Sequence, residues 1–290
     1  MRSAARIGSL TAAMAIAALV ASPAFAQRGR GAGGGAEARA AAAAAKPTPR
    51  TADGHPDLTG VWAGSAEPVK ALDPGQSTRI LFPVRTGPDD KRIFDEMDRA
   101  AKERQAAEPN KPPYKPELLS KVQMLSDKRQ FNDPSFYCKP LGVPRMGPPS
   151  QVVQSTGLVV LLYQGRNTFR TIPTDNRPHN ADADWTWNGD SVGRWEGDTL
   201  VIDTTKLVED SWLGADGWFH SNKMHVVERL TRKGDTLTWA GTVDDPVVFT
   251  KTWEMTPRTL TLNPNPKALL EEDPPCLEQD GPHIVTDDHH

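Results

Sequence analysis

The chain has 290 residues, with 34 Lys and Arg against 37 Asp and Glu and a formal charge of −3. A mildly acidic balance with no basic cluster gives no electrostatic footprint for nucleic acid or anionic lipid, which argues against both as partners. The length is ample for one large or two small hydrophobic cores.

Met1 to Arg6 carry two arginines, Ile7 to about Val20 are apolar, and Ala24-Phe25-Ala26 ends the run with an Ala-x-Ala pattern. This reads as a signal peptide cut after Ala26, since the apolar stretch falls short of the roughly 20 residues that span a bilayer. The expected destination is the periplasm or the exterior, and no later stretch is long and apolar enough to cross a membrane. Removing Arg2 and Arg6 takes the charge from −3 to −5. Residues 27–50 are rich in Ala, Gly and Arg without periodicity and read as a disordered linker. Residues 51–290 then form a single β-rich domain.

Leu58 to Ala63 reads as a first strand entered through a turn. Residues 88–125 read as a helical insertion, with Ile93, Met97, Ala100 and Arg104 along one side of a first helix and a second helix over Pro116 to Leu125. An insertion of that length suits a lid over a site, or a flap that shields a sheet edge. Cys138, in a proline-rich loop, and Cys276, beside Pro274-Pro275, read as one disulfide in an oxidising compartment. It would contribute about 4 kcal/mol by closing a long loop. A cysteine nucleophile is the alternative.

Strands follow at Gln151–Gln154, Leu158–Gln164 and Thr168–Ile172, then Met224–Arg232, Thr236–Asp244, Val247–Met255 and Leu260–Leu262. Between the two groups, Ser191 to Thr204 is a hairpin turning at Gly197-Asp198, a dipeptide suited to the positive φ of a tight turn. That turn sets Glu196 opposite Thr199, Trp195 opposite Leu200, Gly193 opposite Ile202 and Ser191 opposite Thr204. Arg194 and Asp203 share the other face and are expected to balance each other. Gly234-Asp235-Thr236-Leu237 repeats the pattern, setting Leu230 opposite Trp239, Glu228 opposite Gly241 and Val226 opposite Val243. Glu228 then lies on the apolar side, where a carboxylate costs several kcal/mol unless it is paired or shifts its pKa. His225 and Arg229 face solvent. Short antiparallel strands at this spacing predict a mainly β fold, a meander closing into a barrel or sandwich.

The segments Asp57 to Trp62, Cys138-x-Pro140-x-Gly142-x-Pro144-Arg145, Ser191 to Thr204 and His220 to Arg229 resemble a largely uncharacterised family of exported bacterial β-rich proteins. Together they run from about residue 53 to 277. The Gly60-Val61-Trp62 entry strand is similar to that of lipocalin-like barrels, and the resemblance implies a lipocalin-like fold in which the Trp closes one end.

No phosphate loop, Gly-x-Ser-x-Gly elbow, zinc helix or dinucleotide fingerprint occurs, so no cofactor is expected. The polar candidates gather in two loops beside the hairpin, among aromatic side chains that suit a small aromatic or apolar ligand. His220 is the candidate acid or base, Glu228 or Asp175 its partner, and Arg170 or Arg177 the anion stabiliser. His179, Arg177, Trp187, Trp212 and Tyr163 are candidates for substrate contact. Arg170 and Asp175 have an alternative as a turn salt bridge, and His220 with His225 as a metal pair if His220 lies in a loop. The functional expectation is a cofactor-independent lyase or isomerase performing elimination, isomerisation or retro-aldol cleavage. The alternatives are a lipocalin-like carrier of a small hydrophobic molecule and a structural protein of the cell envelope.

Overall fold

The structure, a computed structural model, describes residues 32–64, 110–214, 216–272 and 276. The proposed signal peptide and the helix expected over 88–108 lie outside these residues. Among the described residues ten strands form one antiparallel sheet: β1 (Gly60–Gly64), β2 (Gln151–Ser155), β3 (Leu158–Tyr163), β4 (Thr168–Pro173), β5 (Asp190–Glu196), β6 (Thr199–Thr205), β7 (His225–Lys233), β8 (Thr236–Asp244), β9 (Trp253–Glu254) and β10 (Arg258–Leu262). Their order is β4-β3-β2-β1-β10-β8-β7-β6-β5, with β9 paired to β8 off this path. The first and last strands of that order, β4 and β5, lie against each other, so the meander is nearly closed into a barrel.

Alternation decides what fills it. Val159, Leu161 and Tyr163 on β3, Leu200 and Ile202 on β6, Leu230 on β7 and Leu237 and Trp239 on β8 all point inward and are buried with Leu58 and Trp62. The Trp62 indole donates to the Leu58 carbonyl at 2.9 Å, so its one polar group is satisfied inside the core. A second apolar cluster is built around Tyr114, Val143, Leu213, Met224, Phe249 and Trp253, mostly from connecting segments.

Both Gly-Asp turns form in the expected registers. Trp195 pairs with Leu200 and Ser191 with Thr204 in β5–β6, and Glu228 pairs with Gly241 in β7–β8. Gly193 is required at the seam: a Cβ there would lie 2.8 Å from Ile172 and 2.9 Å from Thr174.

Some expectations are corrected. Within the segment read as a disordered linker, Ala32–Ala44 is helical, as befits an alanine-rich run, the residue with the highest intrinsic helix propensity. The segment after this helix is docked on the barrel: Lys46 pairs with Asp235 at 2.6 Å and Arg50 with Asp198 at 2.9 Å, while the His55 ring stacks on Trp195. The two aspartates of the repeated turn motif are thus each gripped by a cation that precedes the domain. The strand expected over Val247–Met255 shrinks to Trp253–Glu254, because Asp245 accepts from the amides of Val247 and Val248 and turns the chain. The second insertion helix is present as a short 3₁₀ turn followed by the Leu119–Asp127 helix. Cys138 and Cys276 are joined in a disulfide. Among the described residues no helix is long and apolar enough to cross a membrane.

Candidate functional site

Inside the barrel, Arg170 of β4 reaches across to four other strands. One guanidinium nitrogen donates to Glu228 Oε2 on β7 at 2.5 Å and to the Tyr163 hydroxyl on β3 at 3.2 Å. The other donates to Ser191 Oγ on β5 and Thr204 Oγ1 on β6, both at 3.0 Å. The second Glu228 oxygen accepts from the Trp239 indole at 2.9 Å. Burial is the strongest single influence and works against the Arg170 charge, but Glu228 and Tyr163 together more than offset it and hold the guanidinium above its ordinary pKa. Burial pushes the Tyr163 hydroxyl up to about 12, so it is a neutral donor and acceptor at any physiological pH. Glu228 thus takes the paired resolution of its burial. Both charged side chains are 2% exposed. The network bridges the β4–β5 seam that no backbone ladder closes among the described residues, which makes it a brace across the barrel.

The four candidate catalytic residues fall in three places. Arg170 and Glu228 meet in the brace. Asp175 is on the surface and pairs with Arg177 at 2.6 Å, not with Arg170. The Arg177 hydrogen bond draws the Asp175 carboxyl down to about 2. His220 lies in the segment between β6 and β7, buried, with Nε2 2.8 Å from Ser211 Oγ and Nδ1 3.1 Å from the Ser221 carbonyl. Since a carbonyl only accepts, Nδ1 carries the proton and Nε2 accepts from the serine hydroxyl. Burial lowers the His220 pKa and favours this neutral form. Ser221 is in turn fixed by Asp245, through its amide at 2.7 Å and its hydroxyl at 2.8 Å. His220 and His225 have different partners and do not form a pair. Trp212 is buried in the bridge it makes with Phe219, and the Trp187 indole donates to the Asp210 carbonyl at 2.8 Å.

A different constellation forms on the outer face of β5, β6 and β7. Asp190, Asp203 and His225 all point outward there, and the loop between β4 and β5 lays His179 among them. Asp190 Oδ2 is 2.7 Å from His179 Nδ1, His179 Nε2 is 3.1 Å from Asp203 Oδ1, and that same oxygen is 2.6 Å from His225 Nε2. The row runs carboxylate, imidazole, carboxylate, imidazole. All four are partly exposed, His225 most at 39%. Lys206 fixes the loop by donating to the carbonyls of Ala181 and Ala183, and the same loop presents the exposed indole of Trp185. His179 was a candidate from its residue type and setting. Asp190 meets His179 only through the irregular loop between β4 and β5, and the Asp203–His225 contact is equally hidden in the sequence because β6 and β7 are joined by a long segment with no tight turn to set their register. Asp203 therefore serves two histidines, while Arg194 pairs with Glu196, which also takes Arg229.

The hydrogen bond that His225 donates to Asp203 raises the His225 pKa and lowers that of Asp203. A raised histidine contributes stability below its unfolded value of about 6.5 and loses it as pH rises through the folded value. A depressed aspartate contributes above its unfolded value of about 4 and loses it as pH falls through the folded one. The contact is therefore strongest between those values. Because His225 is more than a third exposed, solvent screening limits it to less than about 1 kcal/mol. Urea unfolding of the parent and of His225→Gln should differ at about pH 5.5 and converge near pH 9. A gap that widens with pH would contradict this assignment.

An open cleft of about 530 Å³ lies beside β1 and β10, lined chiefly by Trp62, Met146, Pro148, Pro149, Pro257 and Leu260, with Arg258 among them. It shares no residue with the histidine row. Compared with protein-family models, curated proteins and solved structures, the chain matches none.

Proposed function

We propose that this protein is an acid–base enzyme of lyase or isomerase type, acting on a small aromatic or apolar metabolite at the His179–Asp203–His225 row. One observation carries the reading: a histidine held by a carboxylate through Nε2, with Nδ1 directed away from that contact on a partly exposed face. With Nε2–H donating to Asp203, Nδ1 holds the lone pair of a general base. Elimination, isomerisation and retro-aldol cleavage each require a proton to leave the substrate. Nδ1 takes it, and the imidazolium so formed faces the ionised Asp203. His179, bonded to both Asp190 and Asp203, fixes that carboxylate. The exposed Trp185 ring on the same loop offers a flat apolar surface, which supports an aromatic or apolar substrate. Arg170, Glu228 and His220 then act as scaffold and hold the strands and the 206–224 segment that carry the row. The disulfide supports an exported setting, since such bonds persist in oxidising compartments.

The test is turnover of a panel of aryl-substituted β-hydroxy carbonyl compounds, with products read by mass spectrometry. His225→Gln and Asp203→Asn should each lower kcat by about 10²-fold or more, the ordinary worth of a positioned acid–base group. Turnover unchanged in both variants would refute the reading.

The cleft beside β1 and β10 favours a second reading, a lipocalin-like carrier of a small hydrophobic molecule. Binding without turnover, indifferent to His225→Gln, is the result that would favour it.

A further inference from the structure

The cleft has a property that neither apolar binding nor the histidine row uses. Among the described residues that line it none is acidic, and Arg258 is the one charged side chain. β10 pairs with β8 so that Arg258 stands directly opposite Trp239, and the guanidinium carbon lies 5.9 Å from the centre of that ring. A cation over an indole face is held loosely in place without being neutralised. No carboxylate pairs with Arg258 among the described residues. Gly147, whose φ of +70° suits glycine, runs close beside it: a Cβ there would lie 2.8 Å from Arg258 Nη1. Two hydroxyl groups, on Ser150 and Thr259, also line the cleft. The Ser150 oxygen accepts from the Gln164 amide, which leaves its proton to donate.

We propose that this cleft binds a small organic monocarboxylate with a ring-sized apolar body. The carboxylate takes the fork of Arg258, the geometry in which guanidinium donates two parallel bonds, and the body lies against Trp62, Met146 and Leu260. The volume falls in the range of small-molecule sites, and three prolines stiffen the wall. A single cation with neutral donors matches a monoanion better than a phosphate, which gathers several charges. The proposal rests on the cleft being a ligand site, as in the carrier reading, and is independent of the acid–base row.

Isothermal titration of the full chain with benzoate and phenylacetate, and with the neutral isostere benzamide, tests it. The acids should bind at least about tenfold more tightly than the amide, as expected for a charge-assisted pair. Arg258→Gln should remove that difference by weakening the acids alone, and Arg258→Lys should restore only part of it, because an ammonium cannot donate as a fork. A thermal midpoint equal to that of the parent verifies that the variants fold. Equal affinity for acid and amide, or acid binding untouched by Arg258→Gln, overturns the carboxylate assignment while the cleft remains a ligand site. If no probe binds, the cleft falls as a ligand site as well. None of these outcomes alters turnover at His225, so the two sites are judged separately.

Discussion

Arg170→Met should lower the unfolding free energy by about 3–5 kcal/mol, the usual consequence of leaving one member of a buried ion pair behind. The substitution keeps most of the side-chain volume but removes the donors to Glu228, Tyr163, Ser191 and Thr204 together. Glu228, 2% exposed, then keeps only the Trp239 indole as a partner on the groups described. Glu228→Gln tests the same pair from the other side, because it strands the guanidinium instead. The double variant Arg170→Met with Glu228→Leu should recover much of the loss, since an apolar replacement of both partners removes two desolvation costs at once. Urea unfolding midpoints measure all three. Hydrogen exchange adds the structural reading: backbone amides of β4 and β5 should lose protection before those of β7 and β8, because the brace spans the seam between the first two. A loss below about 1 kcal/mol in both single variants would mean that the barrel closes without the brace.

Loss of the disulfide is the second large effect. Cys138 and Cys276 stand 138 residues apart, so the bond restricts about half of the chain in the unfolded state. Loop-closure entropy for a ring of that size is worth about 4–5 kcal/mol, and measured losses for native disulfides are commonly about 2–5 kcal/mol. The double variant Cys138→Ala, Cys276→Ala should show that drop together with a higher denaturant dependence, since its unfolded state is more expanded. Dithiothreitol should shift the parent to the same midpoint and leave the variant unmoved. Coinciding midpoints for the oxidised and reduced parent would show that the bond constrains nothing that unfolding releases.

Much of the β architecture is legible in the linear order of residues. Each Gly-Asp dipeptide sets a tight turn, and a tight turn sets a register, so both hairpin pairings follow from the chain alone. The inward position of Glu228 follows in turn from period-two alternation. The pairing of the two cysteines is legible as well, because there are only two. What Glu228 pairs with is not. Arg170 lies 58 residues away, on a strand at one end of the sheet order, and the two meet only because the meander curls until β4 faces β5. Asp175, in the loop after β4, lies on the surface with its near neighbour Arg177, where a local pair forms at little entropic cost.

The candidate histidines show the same division. His220 and His225 are five residues apart, yet one is buried against Ser211 and the other lies outside against Asp203. Residue type marks both as candidate acid–base groups, but burial and partner decide which is open to solvent. Asp203 illustrates the limit most directly. Within its hairpin Arg194 is the obvious counter-charge, but the long segment before β7 lets β6 take a third strand whose register no turn dictates. Local chemistry, in turns and alternation, thus determines the strands, their faces and the paired cysteines. Contacts between distant strands, which depend on how the whole sheet closes, decide which polar groups brace the interior and which are left on the surface.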